Sequence, residues 1–271
     1  MYDRTSFLSS VLNPFGVGHP LPEKDYGDVC QIYTPDHASG DAFFNVTDRI
    51  DVFVLAHSLG WFVKALIVRD LGVSWVCSVL FELVELAFAH LLPNFRECWW
   101  DSIIFDVFGC NLIGIHLADY ALSKLDWPKF KFLRSAFGAK KINYKFLFSA
   151  TLLIALITLI DLNFFFLKFV LFIPTTHWLS HVRTYSFVLI SAPASIEMWK
   201  WASSRKRMNR WTFFKQCPSA VIGMLALLSE VAIYVKFRGD MFRKSGSTPL
   251  ATHLLLLSLV YLTVHSFAKI R

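Results

Sequence analysis

Residues 73–92 read VSWVCSVLFELVELAFAHLL. The run is continuously apolar apart from a few serines, two glutamates and a histidine, and its residues do not alternate as a half-buried strand would. A helix of about 20 residues spans about 30 Å, the thickness of a bilayer's hydrocarbon core. Six further runs qualify in the same way, at residues 50–68, 102–122, 146–172, 182–199, 218–237 and 249–268. They predict an all-α integral membrane protein with about seven transmembrane helices in a single bundle. The fourth run is long enough to be one tilted helix or two pieces broken near Asp161 and Asn163. Residues 1–49 are polar and carry no apolar stretch of a secretory signal, so insertion is expected to rely on the first internal helix. Residues 50–268 form the membrane domain, with the candidate active site within 57–111.

Composition agrees with a lipid environment: 55% of the residues are hydrophobic, 16% aromatic and only 17% charged, against roughly 25% charged in soluble domains. The net charge of +7 does not point to nucleic acid. Lysines and arginines sit in short loops beside apolar runs, where they set orientation and meet anionic headgroups. With alternate loops assigned to opposite sides, about 16 basic residues fall on one side and about 9 on the other. The richer side is expected to be cytoplasmic, which places the amino-terminal segment in the lumen or exterior. Cys30, Cys77, Cys98, Cys110 and Cys217 show no CxxC spacing, so neither a disulfide framework nor a zinc site is expected.

Ionisable groups at membrane depth cost about 2.5–3.5 kcal/mol each even on lenient insertion scales, so each needs a partner or a purpose. The first three runs carry many. His57 and Lys64 share a face of the first, and Glu82 and Glu85 lie about one turn apart on the second. The following turn brings Asn94, Glu97 and Asp101, and the third run adds Asp106 and Asn111. Helix one enters from the lumenal side and helix two returns to it, so these groups converge near one membrane face. Glu82, Glu85, Glu97, Asp101 and Asp106 are five carboxylates in about 25 residues with only Arg96 close in sequence. Unpaired, they would repel one another and take up protons. A divalent cation would resolve that conflict, and oxygen ligands around a flexible turn suit Ca²⁺, with Mg²⁺ or Mn²⁺ as lesser alternatives. Lys168, at the lumenal end of the fourth run, is a candidate contact for a lipid phosphate.

The runs Ala56-His57-Ser58-Leu59-Gly60-Trp61-Phe62-Val63-Lys64, Phe81-Glu82-Leu83-Val84-Glu85 and Leu92-Pro93-Asn94-Phe95-Arg96-Glu97-Cys98-Trp99-Trp100-Asp101 are distinctive. With Pro22-Glu23-Lys24-Asp25-Tyr26, Asp106, Cys110-Asn111 and the stretch Leu162 to Phe169, they resemble the eukaryotic phosphatidylserine synthases that work by base exchange. The resemblance runs from about Leu21 to the end of the sequence. It implies an endoplasmic reticulum enzyme that replaces the choline or ethanolamine of a phospholipid with L-serine, using Ca²⁺ and no nucleotide. His57, Glu82, Glu85, Asn94, Glu97, Asp101, Asp106 and Asn111 match polar residues important to the family. Two departures stand out: Asp161 replaces the family's usual Glu, and the further membrane helices that usually precede the Pro22–Tyr26 run are not seen.

These expectations assign His57 as general base, the five carboxylates as metal ligands, and Asn94, Asn111 and Lys168 to substrate. The partners are phosphatidylcholine or phosphatidylethanolamine, L-serine and membrane lipids, with a homodimer left open. Exchange of one phosphodiester for another is near thermoneutral, and no Walker-type glycine loop is present. The DG-x2-AR…G-x3-D-x3-D pattern of CDP-alcohol phosphatidyltransferases is absent as well. A rival from another class is an ion channel or transporter whose acidic cluster is a permeation site. Broken or duplicated elements at mid-membrane would be expected of it.

Overall fold

A computed structural model describes residues 26–50, 52–92, 95–204, 209–237 and 250–270, and among them it is helical with no named strand. Chain contacts divide the protein into two compact units. One runs from Glu23 to Lys131, and the other contains everything from Phe132 onward.

In the first unit, α1 (Phe44–Thr47) precedes α2 (Val52–Val68) and α3 (Leu71–Phe88). Arg69 ends α2 in the left-handed region, at φ 55°. Its carbonyl accepts from the Phe130 N–H at 2.6 Å, and its guanidinium lies 4.8 Å from the Trp127 ring centroid. Asp70 then caps α3, accepting from Gly72 N at 2.9 Å and Val73 N at 3.2 Å. The third run opens as a π-helix, Asp101–Asn111, and continues as α4 (Leu112–Lys124).

Helix α2 packs along both α4 and the π-helix. The approach to α4 is closest at Gly114, where a β-carbon would overlap the Ser58 carbonyl oxygen and lie 2.9 Å from Phe62 N. Backbone cannot yield as a side chain can. Gly114→Ala is therefore expected to destabilise the protein by about 1–3 kcal/mol. Gly60→Ala on α2, where nothing lies within 4 Å of the added carbon, is the control. Melting of the detergent-solubilised variants checks this, and equal melting of the two would contradict the packing.

The second unit contains α5 (Phe132–Phe137), α6 (Tyr144–Leu171), α7 (Trp178–Ser203), α8 (Trp211–Gln216), α9 (Pro218–Phe237) and α10 (Leu250–Lys269). The 28-residue α6 is continuous through Asp161 and Asn163, so the alternative of a broken fourth run is discarded. It packs against α7, α9 and α10. Arg183 on α7 meets Glu230 on α9 through Nε–Oε1 and Nη2–Oε2 bonds of 2.6 and 2.8 Å, and Asn163 on α6 donates to the same carboxylate at 3.0 Å. Intramembrane charges are paired in this way throughout membrane proteins.

Among the described residues, four helical segments are long and apolar enough to cross a membrane: Leu71–Phe88, Asp101–Lys124, Tyr144–Leu171 and Pro218–Phe237. Helices α2, α7 and α10 occupy the other three expected positions. The protein is an all-α, multi-pass membrane protein.

Candidate functional site

Glu82 and Glu85 project from the last turns of α3, and Glu97 comes from the turn that follows. Each offers one carboxylate oxygen, and the three oxygens lie within 4.8 Å of one another. Glu85 is buried, and Oε2 of both Glu82 and Glu85 has no hydrogen-bond partner. Unsatisfied carboxylate oxygens facing one another are costly unless a proton or cation joins them. Ca²⁺ binds oxygens at about 2.3–2.6 Å, so two of its ligands can stand up to about 5 Å apart. The three glutamates therefore fit a divalent cation, by geometry and by donor type.

The π-helix brings further polar groups to the same place. In an α-helix, residues five apart point about 140° away from each other. Hydrogen bonding from i to i+5 brings them back to neighbouring positions one turn apart. Asp101, Asp106 and Asn111 follow that spacing. Asp101 and Asn111 are buried, while Ile103, Ile104 and Phe108 are exposed on the outer side. Asp101 and Asp106 lie close enough to Glu97 for their carboxylates to act on it. Burial and then the nearby Asp101 push the Glu97 carboxyl up to about 7, while Ser102, Asp106 and the Arg49 charge oppose the rise.

His57 stands beside this group on α2. Its Nε2 lies 3.9 Å from Asp106 Oδ1 and accepts from the Trp61 indole N–H at 3.2 Å. Lys64, on the same helix, has its Nζ 4.0 Å from the Trp61 ring centroid and 5.4 Å from that of Phe81. Asn111, expected to touch substrate, is fully buried, and its Nδ2 donates to Ser78 Oγ at 2.8 Å and Glu82 Oε1 at 3.3 Å. Lys168 belongs to the second unit, on α6, with Nζ 5.2 Å from the Phe169 ring centroid. Asn94 lies outside the described residues.

The expectation of no disulfide is corrected. Cys30 and Cys98 are bonded, with Cα atoms 5.3 Å apart across a separation of 68 residues. No local spacing announces such a pair; it forms because the polar segment before α2 folds onto the turn after α3. Tyr26 bridges to Glu97 through the backbone, and the Trp100 indole donates to the Cys30 carbonyl at 3.2 Å. The turn carrying Glu97 and leading into Asp101 is thus fixed from both sides.

The family model described as phosphatidyl serine synthase matches residues 2–146 and 137–238. The chain is 35% identical over 259 residues to "Phosphatidylserine synthase 2" of Homo sapiens, covering 87% of this chain and 52% of that protein. It is 32% identical to "CDP-diacylglycerol--serine O-phosphatidyltransferase 1" of Arabidopsis thaliana, covering 83% of this chain and 58% of that protein. Against "CDP-diacylglycerol--serine O-phosphatidyltransferase 3" of Oryza sativa subsp. japonica, identity is 38%, with 66% and 48% covered. The chain spans about half the length of these relatives. Since the family match covers most of the sequence, including every helix of the carboxylate site, the chain belongs to the phosphatidyl serine synthase family.

Proposed function

We propose that the protein makes phosphatidylserine by base exchange, L-serine displacing the choline or ethanolamine of a membrane phospholipid. The observation that carries this reading is the group of three facing glutamates beside His57. Glu82, Glu85 and Glu97, with Asp101 and Asp106, would hold a Ca²⁺ ion. When bound, that ion neutralises the lipid phosphodiester and stabilises the charge that develops on it.

The chain's own residues supply the rest. His57 takes the proton of the serine hydroxyl as the new P–O bond forms, and returns it to the departing choline or ethanolamine oxygen as the old one breaks. The Trp61 indole must first yield the Nε2 lone pair. Asp106, 3.9 Å from that nitrogen, favours the imidazolium formed midway. Asn111 holds Glu82 and so positions a ligand. Lys168, which belongs to the other unit, is by itself a candidate contact for a lipid phosphate. The Cys30–Cys98 bond supports placing this face on the oxidising, lumenal side of the endoplasmic reticulum, since disulfides persist there and not in the cytosol.

The names of the plant relatives raise a second reading, in which the donor is CDP-diacylglycerol. The absence of the CDP-alcohol sequence pattern favours exchange. Membranes containing the protein, given labelled serine without CTP, are expected to form labelled phosphatidylserine with Ca²⁺ and to stop when Ca²⁺ is chelated. Strict dependence on CTP would support the second reading.

A further inference from the structure

Arg49 precedes α2 and is only 9% exposed, yet its Nε and Nη1 have no hydrogen-bond partner among the described residues. Its guanidinium carbon lies 5.0 Å from the Tyr26 ring centroid. Tyr26 is the residue whose backbone bridges to Glu97. Arg49 is therefore stacked at the edge of the carboxylate group, and its charge is felt at Glu97.

A buried guanidinium with unsatisfied N–H groups is expensive, and the geometry of its planar fork suits an incoming oxyanion. The exchange chemistry brings two such groups. The lipid phosphodiester is present whichever alcohol attacks, and a cation held by the glutamates would meet it. The second is the carboxylate that distinguishes serine from ethanolamine and choline. In a site lined by carboxylates, that group is repelled unless a buried cation receives it.

We propose that Arg49 receives the carboxylate of L-serine and so sets the preference of the site for serine over ethanolamine. The proposal rests on the exchange reading. It adds a specificity residue to it: the ammonium of serine lies toward the glutamates, its carboxylate toward Arg49, and its hydroxyl toward the phosphorus.

The test uses the full chain, purified into phosphatidylcholine nanodiscs with Ca²⁺. Equilibrium binding of labelled serine and exchange rates with serine and with ethanolamine are measured for wild type, Arg49→Gln and Arg49→Lys. Formation of the Cys30–Cys98 bond on non-reducing gels reports folding of the Arg49 region. Arg49→Gln is expected to weaken serine binding and to lower the serine-over-ethanolamine preference, each by roughly ten- to a hundredfold, as for a lost charge-assisted hydrogen bond. Arg49→Lys, which keeps the charge and loses the fork, should fall between. If Arg49→Gln fails to form the disulfide, the Lys variant decides by the same measures. An equal loss with both acceptors would overturn the proposal and assign Arg49 to the phosphate, and unchanged serine binding would also overturn it. Serine binding that depends on Arg49, without any exchange, would uphold the assignment and overturn the exchange reading instead.

Discussion

His57→Ala is expected to lower serine exchange by about a hundred- to ten-thousandfold, the range for lost acid–base assistance. Serine and Ca²⁺ binding should change far less, because the imidazole is not among the three facing glutamates and its Nε2 is 3.9 Å from the nearest Asp106 oxygen. His57→Gln sharpens the test. The amide is polar and of similar size, and it can still accept the Trp61 N–H through its oxygen, but it cannot cycle a proton. Near-normal turnover in the Gln variant would reduce His57 to a hydrogen-bonding partner of Trp61 and move the base to a carboxylate.

Asp101→Asn and Asp106→Asn should each abolish exchange while leaving membrane insertion intact. Both residues belong to the π-helix face that meets Glu97, and each replacement keeps shape while removing a negative charge. A cation that binds only the folded state raises its stability in proportion to its affinity. The Ca²⁺-induced rise in melting temperature should therefore shrink in both variants, with an affinity loss of at least about tenfold. Full activity and an unchanged Ca²⁺ response in either variant would remove that residue from the site. This pair of readouts separates loss of the cation from loss of the fold.

Much of the architecture was legible because membrane helices must satisfy their backbone hydrogen bonds internally, which makes hydropathy a strong signal. The run at 218–237 coincides with α9, and the others fall within a few residues of observed helices. Glu82 and Glu85 could be singled out because carboxylates stand out in an apolar helix, and a spacing of three fixes their common face. The π-helix was not legible: hydropathy carries no information on whether a carbonyl bonds i+4 or i+5. Asp101 and Asp106 are expected near one membrane face, but on an α-helix they would point about 140° apart, and the wider turn brings them to one side. For Asn111 the family resemblance suggests a substrate contact, and the structure adds what the sequence does not show: its Nδ2 donates to Ser78 and Glu82, which ties it to the carboxylate group. In the sequence Arg49 is one basic residue among several that set orientation or could pair with the carboxylates. Its burial depends on the segment folded back through Cys30 and Tyr26, a long-range event that local pattern does not encode.

The central claim is that the headgroup alcohol itself is the leaving group. Purified protein in vesicles of phosphatidylcholine or phosphatidylethanolamine, with Ca²⁺, labelled serine and no nucleotide, tests it most directly by counting both products. The account predicts one free choline or ethanolamine released for each phosphatidylserine formed. Phosphatidylserine formed only after addition of CDP-diacylglycerol, with CMP released in its place, would contradict it.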